Sequence, residues 1–419
     1  MFGWSKAERD KEFTAFMREA QASLSRTAWL VTGDRALAAG TPSRPERVAG
    51  PRGAATQRRP GSSGGEPAYD RAVTPTGPTP PLLRALTGDR PDHHPVWFMR
   101  QAGRSLPEYR EVRKGTAMLE SCLIPELAAE ITLQPVRRHR VDAAIFFSDI
   151  MIPLKLAGVD VDIVGGVGPV IAEPVRTAAD VDRLVAHELG DTSMIAEAIR
   201  LITAELATTG SGDASWTPLI GFAGAPFTLA AYLVEGRPSR DHLAARSLML
   251  ADPAAWEKLM AWCADLSGAF LTVQVDAGAS AVQLFDSWAG SLPLADYAAH
   301  VAPWSRRALA AVEGRVPRLH FGTGTGHLLE EMVKGTDALG IDYRTPLDEA
   351  AARLPGVPLQ GNIDPARLLA GWDALASHAR DVLDRGRAAP AHVVNLGHGV
   401  PPETDPTILT RLVELIHAS

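Results

Sequence analysis

Arg100 and Arg104 flank Ala102 and Gly103 just past a short apolar run, Val96-Trp97-Phe98-Met99. A run that short reads as a buried strand rather than a helix. Two guanidiniums beyond its end, around a glycine that lets the backbone approach closely, make a fork-shaped receptor for carboxylates. Other apolar runs end in residues of comparable chemical use. Ser148-Asp149 follows Ala143–Phe147, Gly224-Ala225-Pro226 follows Leu219–Ala223, and Asp286-Ser287 follows Ala281–Phe285. Gly322-Thr323-Gly324 follows Arg318–Phe321, Arg344 follows Ala338–Asp342, Asn362-Ile363-Asp364 follows Val357–Gly361, and Gly397-His398-Gly399 follows His392–Leu396. One such set means little, because strand ends usually carry turn formers. Eight sets on one rim make a pocket of cations, carboxylates, hydroxyls and an imidazole, suited to an anionic ligand.

The elements that must position these residues repeat. Each apolar run, beginning with Pro95–Met99, is rich in Val, Ile, Leu and Phe. Several are followed by Ala/Leu-rich amphipathic stretches such as Pro125–Arg140 and Ile195–Thr208. Eight strand–helix units predict an α/β fold, a single (β/α)8 barrel with its chemistry at the C-terminal ends of the strands. The later connections are short and leave room for brief helices only. The barrel is expected over residues 81–419. Before it, residues 1–40 read as a helical extension, with Phe13, Phe16, Met17, Leu24 and Leu30 at roughly helical spacing. Residues 41–80 turn to Pro, Gly, Ser and Arg, a composition that offers little to bury and reads as a disordered linker.

Composition narrows the function classes. The formal net charge of -7 gives no reason to expect a nucleic-acid partner, so recognition of an anion has to be local. The two cysteines, Cys122 and Cys263, are too few for a Cys-rich metal site, and their scarcity fits a reducing, cytoplasmic setting. No apolar stretch is long enough to span a bilayer, and the charged segment Lys6–Lys11 stands where a signal peptide would carry its apolar core. No pair of His or Cys has zinc-ligand spacing, no glycine-rich loop has phosphate-loop form, and no lysine stands in a Schiff-base context. The rim is therefore expected to work with no cofactor and no metal.

The segments PVWFMRQAGRSLPEYR, AAIFFSDIM, GFAGAPFTLAAYLVEG, AVQLFDSWAG, LQGNIDP and VVNLGHGVPPETDP resemble, in order, the signature blocks of the uroporphyrinogen decarboxylase family. The resemblance runs from about Pro81 to the C-terminus. It implies a single (β/α)8 barrel, a homodimer, and a cofactor-free removal of the four acetate carboxyls of uroporphyrinogen III. The product would be coproporphyrinogen III, on the path to heme. By matching position, Asp149 would accept hydrogen bonds from pyrrole N–H groups, and Arg100 and Arg104 would hold substrate carboxylates. Gln101, Ala102 and Gly103 would add backbone donors, and Arg113 would be a third arginine near the mouth. Tyr232 would reach the reacting acetate, and Ser287 and His398 would contact propionate or acetate groups. Plain readings compete: a loop or N-cap aspartate for Asp149, a solvated helix residue for Arg113, a packing residue for Tyr232. The proton donor stays open among Arg100, Tyr232, His398 and a water held by Asp149.

This chain departs from the family pattern at Ser105, where most members have Tyr, and at Tyr343, where many have Trp. The segment Phe13–Ala39 resembles the opening helix of an extracytoplasmic-function sigma factor, but it stops short of a complete polymerase-binding region and is assigned no function. Two rival readings remain. A zinc methyltransferase of the same superfamily needs a His-x-Cys pair, whereas this chain reads His320-Phe321-Gly322. A non-catalytic tetrapyrrole carrier could dispense with some of Arg100, Arg104, Asp149, Tyr232 and His398, all of which are present.

Overall fold

The computed structural model describes residues 78–210 and 215–419. The expected N-terminal helix (1–40) and nearly all of the expected linker (41–80) lie outside the described residues. Seven strands form one sheet with every pairing parallel: β1 (Ala144–Ile145), β4 (Leu219–Gly224), β5 (Ala281–Asp286), β6 (Arg318–Gly322), β7 (Ala338–Gly340), β8 (Leu359–Ile363) and β9 (His392–Leu396). Apart from Phe285, every residue of these strands is buried. That is why they read as continuous apolar runs rather than as alternating ones.

The eighth position is filled by the segment around Val96, which bridges to Val394 of β9. Trp97 N–H donates to the Val394 carbonyl (3.2 Å) and Val394 N–H to the Pro95 carbonyl (2.8 Å). On its other side the Val96 carbonyl accepts from Asp142 N–H (2.8 Å), just ahead of β1. The ring is thereby closed. The segment is a single bridge rather than the regular strand expected over Pro95–Met99, because side chains take the place of ladder partners. Val96 N–H donates to Asp142 Oδ2 (2.8 Å), Phe98 N–H to Gln101 Oε1 (3.0 Å), and Met99 N–H to Asn395 Oδ1 (2.9 Å).

Inside the ring, Trp97 Nε1 donates to Gln360 Oε1 (2.9 Å), and Gln360 Nε2 donates to Gln283 Oε1 (2.8 Å). These fully buried groups satisfy one another and link the closing segment to β8 and β5. The barrel interior is a packed core, not a pore.

Helices lie between most strands, and six of them open on proline at their first position: Pro81, Pro107, Pro125, Pro226, Pro253 and Pro406. Proline suits that position because its φ is already helical and the missing N–H would have no helical partner. The expected helices appear as Pro125–His139 and Ser193–Leu206. After β6 and β7 only Leu329–Met332 and Leu347–Arg353 form, as the short connections require. One element goes beyond the sequence reading. An antiparallel hairpin of β2 (Val161–Val164) and β3 (Gly168–Ile171) stands apart from the barrel sheet. No described helix is long and apolar enough to cross a membrane.

Candidate active site

At the C-terminal end of the ring, Arg100 adopts a left-handed backbone conformation (φ 61°), unusual for a residue with a Cβ. That turn throws its side chain off the closing segment and across Gly399, where a methyl group would lie 2.8 Å from Arg100 Cγ and 3.1 Å from Nε. Val400 N–H donates to the Met99 carbonyl (2.9 Å) and ties the two strand ends together. The Arg100 charge acts on three other candidates at once. It lowers the pKa of Asp149, Tyr232 and His398, in each case against or alongside a larger effect of burial.

Asp149 follows β1 and begins a turn. Its Oδ1 accepts Met151 N–H (2.9 Å) and its carbonyl accepts Ile152 N–H (3.0 Å), starting the helix Ile152–Leu156. The plain reading of a turn aspartate therefore accounts for one oxygen. Oδ2 has no protein donor among the described residues. Burial raises the Asp149 pKa above the usual carboxylate value, opposed by Met151 N–H and by Arg100. A poorly solvated carboxylate with a vacant lone pair gains more from a bound N–H or cation than one in water would.

Tyr232 sits on the buried helix Pro226–Glu235. Its phenol is pushed up to about 12 by burial and by the negative charge of Asp149, with Arg100 opposing. The phenol therefore stays protonated at neutral pH, and its hydroxyl has no protein partner among the described residues. The ring stacks on Trp288 (centroids 3.9 Å apart, 32° between planes), and Trp288 stacks in turn on His242 (4.4 Å, 30°). His242 Nδ1 lies 3.0 Å from Ser291 Oγ. The sequence reading missed Trp288 and His242 as supports for Tyr232; the only signal was that Trp288 follows Asp286-Ser287. Ser287 itself is exposed just beyond β5, next to the stacked Trp288.

His398 is half-buried between two fixed points. Gly397 N–H donates to the Ile363 carbonyl (2.8 Å), and Val400 is held by Met99. A methyl on Gly397 would lie 2.6 Å from Tyr343 Cα, so β9 can end there only as glycine. Burial, then Arg100 and Arg344, hold the His398 pKa below its ordinary value, with Asp342 opposing. The imidazole is neutral at pH 7 and able to donate or accept. Asp342, a buried carboxylate that went unnoticed as a site residue, accepts Gly324 N–H (2.6 Å), Arg344 N–H (3.0 Å) and Arg344 Nη1 (2.6 Å). It fixes the neighbouring strand ends and directs Arg344 over the Tyr343 ring (4.3 Å). That stack is the role of the residue standing where many family members have Trp.

The remaining candidates divide. Arg104 is exposed, and neither Arg100 nor Arg104 pairs with a carboxylate among the described residues, whereas Arg137, Arg138, Arg307 and Arg353 all do. Ala102 and Gly103 direct their amides at no protein acceptor among the described residues. Gln101 differs from the expectation. Its N–H donates to the Phe98 carbonyl (3.0 Å), its Oε1 accepts Phe98 N–H, and its Nε2 donates to the Ala143 carbonyl (3.1 Å). It shapes the loop, and the backbone N–H expected to meet a ligand is already taken. Arg113 is turned inward. Its guanidinium donates to the Tyr109 hydroxyl (3.0 Å) and the Thr116 carbonyl (3.1 Å), so it is not the solvated helix residue of the plain reading. Both cysteines are free thiols and buried, and burial raises both well above their ordinary pKa.

The rim thus combines two uncompensated guanidiniums, a half-vacant carboxylate, a protonated phenol and a neutral imidazole. Comparison with known proteins agrees with the motifs. The family model described as uroporphyrinogen decarboxylase (URO-D) matches residues 78–419. The uroporphyrinogen decarboxylase of Leifsonia xyli subsp. xyli is 61% identical over 379 residues, 82% of this chain and 98% of that protein. That of an Arthrobacter species is 64% identical over 341 residues, 81% of this chain and 96% of its own length. Among solved structures, a methyltransferase from Methanosarcina mazei superposes with a TM-score of 0.64, over 80% of this chain and 96% of its own. At 19% identity that likeness concerns the fold alone. A barrel whose rim residues and whole described length follow one family's pattern belongs to that family: the chain is a member of the uroporphyrinogen decarboxylase family.

Proposed function

We propose that the chain decarboxylates the four acetate groups of uroporphyrinogen III to give coproporphyrinogen III, with the Arg100–Asp149–Tyr232–His398 rim as its active site. The observation that carries this reading is the rim itself: the Arg100 guanidinium, turned over Gly399 and paired with no carboxylate among the described residues, stands with Asp149, whose Oδ2 has no protein donor among them. Loss of carbon dioxide leaves an electron pair that needs a sink, and many enzymes take one from a cofactor. A pyrrole protonated at a ring carbon beside the acetate-bearing position is its own sink. Such a cation needs an anion beside it, and the substrate carboxylates need cations.

Asp149 supplies the anion. Its Oδ2 would accept pyrrole N–H groups and stabilise the ring cation as it forms, a contribution of roughly 4 kcal/mol for unit charges about 4 Å apart at an effective dielectric near 20. Arg100 and Arg104, with the Ala102 and Gly103 amides, would hold carboxylates by charge-assisted hydrogen bonds. Tyr232 and His398, both neutral at pH 7, would contact the reacting acetate or a neighbouring side chain, and Ser287 would add a hydroxyl. Arg113 would join them on release from Tyr109. The assembly is a homodimer in the cytoplasm; the exposed Leu243 and Leu250, on one face of the helix Leu243–Ala251, support a self-association surface. Anaerobic incubation with uroporphyrinogen III should give stepwise loss of four carboxyls, followed by mass. Light scattering on the same sample should give twice the chain mass. Unchanged porphyrinogen would overturn the activity, and a monomer at working concentration the assembly.

A further inference from the structure

His93, Asp142 and His417 come together from three distant parts of the chain. His93 precedes the closing segment, Asp142 immediately precedes the run leading into β1, and His417 ends the last helix, Pro406–His417. They therefore meet at the N-terminal end of the barrel, opposite the rim. His417 Nε2 lies 2.8 Å from Asp142 Oδ2 and His93 Nε2 lies 3.5 Å from Asp142 Oδ1. One ligand atom from each residue falls within 4.8 Å of the others, and the two imidazoles meet edge to face with centroids 5.4 Å apart.

We propose that these three residues bind one divalent cation of the zinc class, and that the ion staples the C-terminal helix to the closing segment of the barrel. The chemistry of the donor set supports it. Two imidazoles and a carboxylate suit a borderline cation such as Zn2+ rather than Mg2+ or Ca2+, which prefer oxygen alone. Tetrahedral coordination with bonds of about 2.0–2.1 Å puts ligand atoms about 3.3 Å apart, so side-chain shifts well under the width of a ring would close the site. The carboxylate is held in advance: Asp142 is buried, and its Oδ2 also accepts Val96 N–H (2.8 Å). The histidine side chains are 25% and 29% exposed, which leaves the ion a path in and a place for water as fourth ligand. Ligands separated this widely in the chain have no local spacing motif, which is why the sequence reading registered no metal site. Features at this end of such barrels serve stability rather than chemistry, and the proposal is independent of the rim.

The test uses the full, tag-free chain stripped with EDTA and titrated with ZnCl2. Calorimetry should find one equivalent bound, and at ten- to hundredfold excess over Kd the melting temperature should rise by about 2 °C or more, while MgCl2 produces neither. Cobalt(II) should give the visible absorption of a four-coordinate ion. Decarboxylation should change less than twofold between stripped and loaded protein. In His93→Gln and His417→Gln the zinc-dependent rise and the cobalt spectrum should disappear, each variant serving as its own metal-free reference. Absence of stoichiometric binding, or a rise retained in both variants, would overturn the site.

Discussion

The Arg100 side chain lies flat across Gly399, so that the residue before the loop of one strand end is shaped by the absence of a side chain on another. The contact joins the first and last units of the barrel at the rim. A methyl there would collide with the middle of the Arg100 stem rather than with its mobile tip. Gly399→Ala is therefore expected to swing the guanidinium away from Asp149 and His398. The specificity constant kcat/KM should fall about tenfold, equivalent to about 1.4 kcal/mol. The urea midpoint should barely move, because no core atom is lost. Wild-type kinetics in a folded Gly399→Ala protein would contradict this geometry.

Asp149→Asn keeps size and one acceptor but removes the charge and presents an N–H donor where Oδ2 now stands vacant. Turnover with uroporphyrinogen should drop at least a hundredfold, for which about 2.7 kcal/mol of lost transition-state stabilisation suffices. Asp149→Glu should be milder, since it retains the charge and misplaces it. Near-normal turnover of the folded Asn variant would remove Asp149 from the electron-sink role.

Arg100 lowers the Asp149 pKa against the upward push of burial. Neutralising it in Arg100→Gln should let that carboxyl hold its proton to higher pH. The acid limb of the kcat/KM profile should shift upward in pH, in addition to a lower plateau. A plateau that drops with the limb unmoved would mean that a group other than Asp149 sets the limb.

Arg104 has no protein carboxylate to hold it, which leaves its planar fork for a ligand. Arg104→Lys supplies a point charge in place of two parallel donors. Initial-rate measurements should find the Michaelis constant raised several-fold, with turnover changed less. The opposite split would place Arg104 in the chemical step.

Two buried histidines should dominate the acid side of the stability profile. Burial pushes His139 and His392 down to about 4, and His392 Nε2 donates to the Gly361 carbonyl (2.7 Å). Below about pH 6.5 the unfolded chain takes up protons that the native one refuses. Stability is therefore complete above that pH and declines as pH falls towards about 4, by on the order of 3 kcal/mol for each group. Urea titrations at pH 8, 6 and 5 should trace this slope, and His392→Asn should flatten it. An unaltered slope in that variant would assign the acid sensitivity to other groups.

The sequence alone determined the barrel, because strands buried on both faces leave continuous apolar runs that local reading detects. It also pointed to the rim candidates, since Asp149, Ser287 and His398 stand just past those runs and Arg100 just past the segment that closes the ring. Family membership was equally legible, carried by contiguous blocks. Only the tertiary structure decided the relations between distant residues. The closing segment is a single bridge because Asp142 and Asn395, distant in the chain, join the nearby Gln101 in supplying its acceptors. Asp342 reaches back to the Gly324 N–H, and Trp288 with His242 backs Tyr232. The cluster of His93, Asp142 and His417 belongs to the same class. Periodicity and spacing report what neighbours along a chain share, whereas hydrogen bonds, stacking and ligand geometry depend on distances that exist only after the ring has closed.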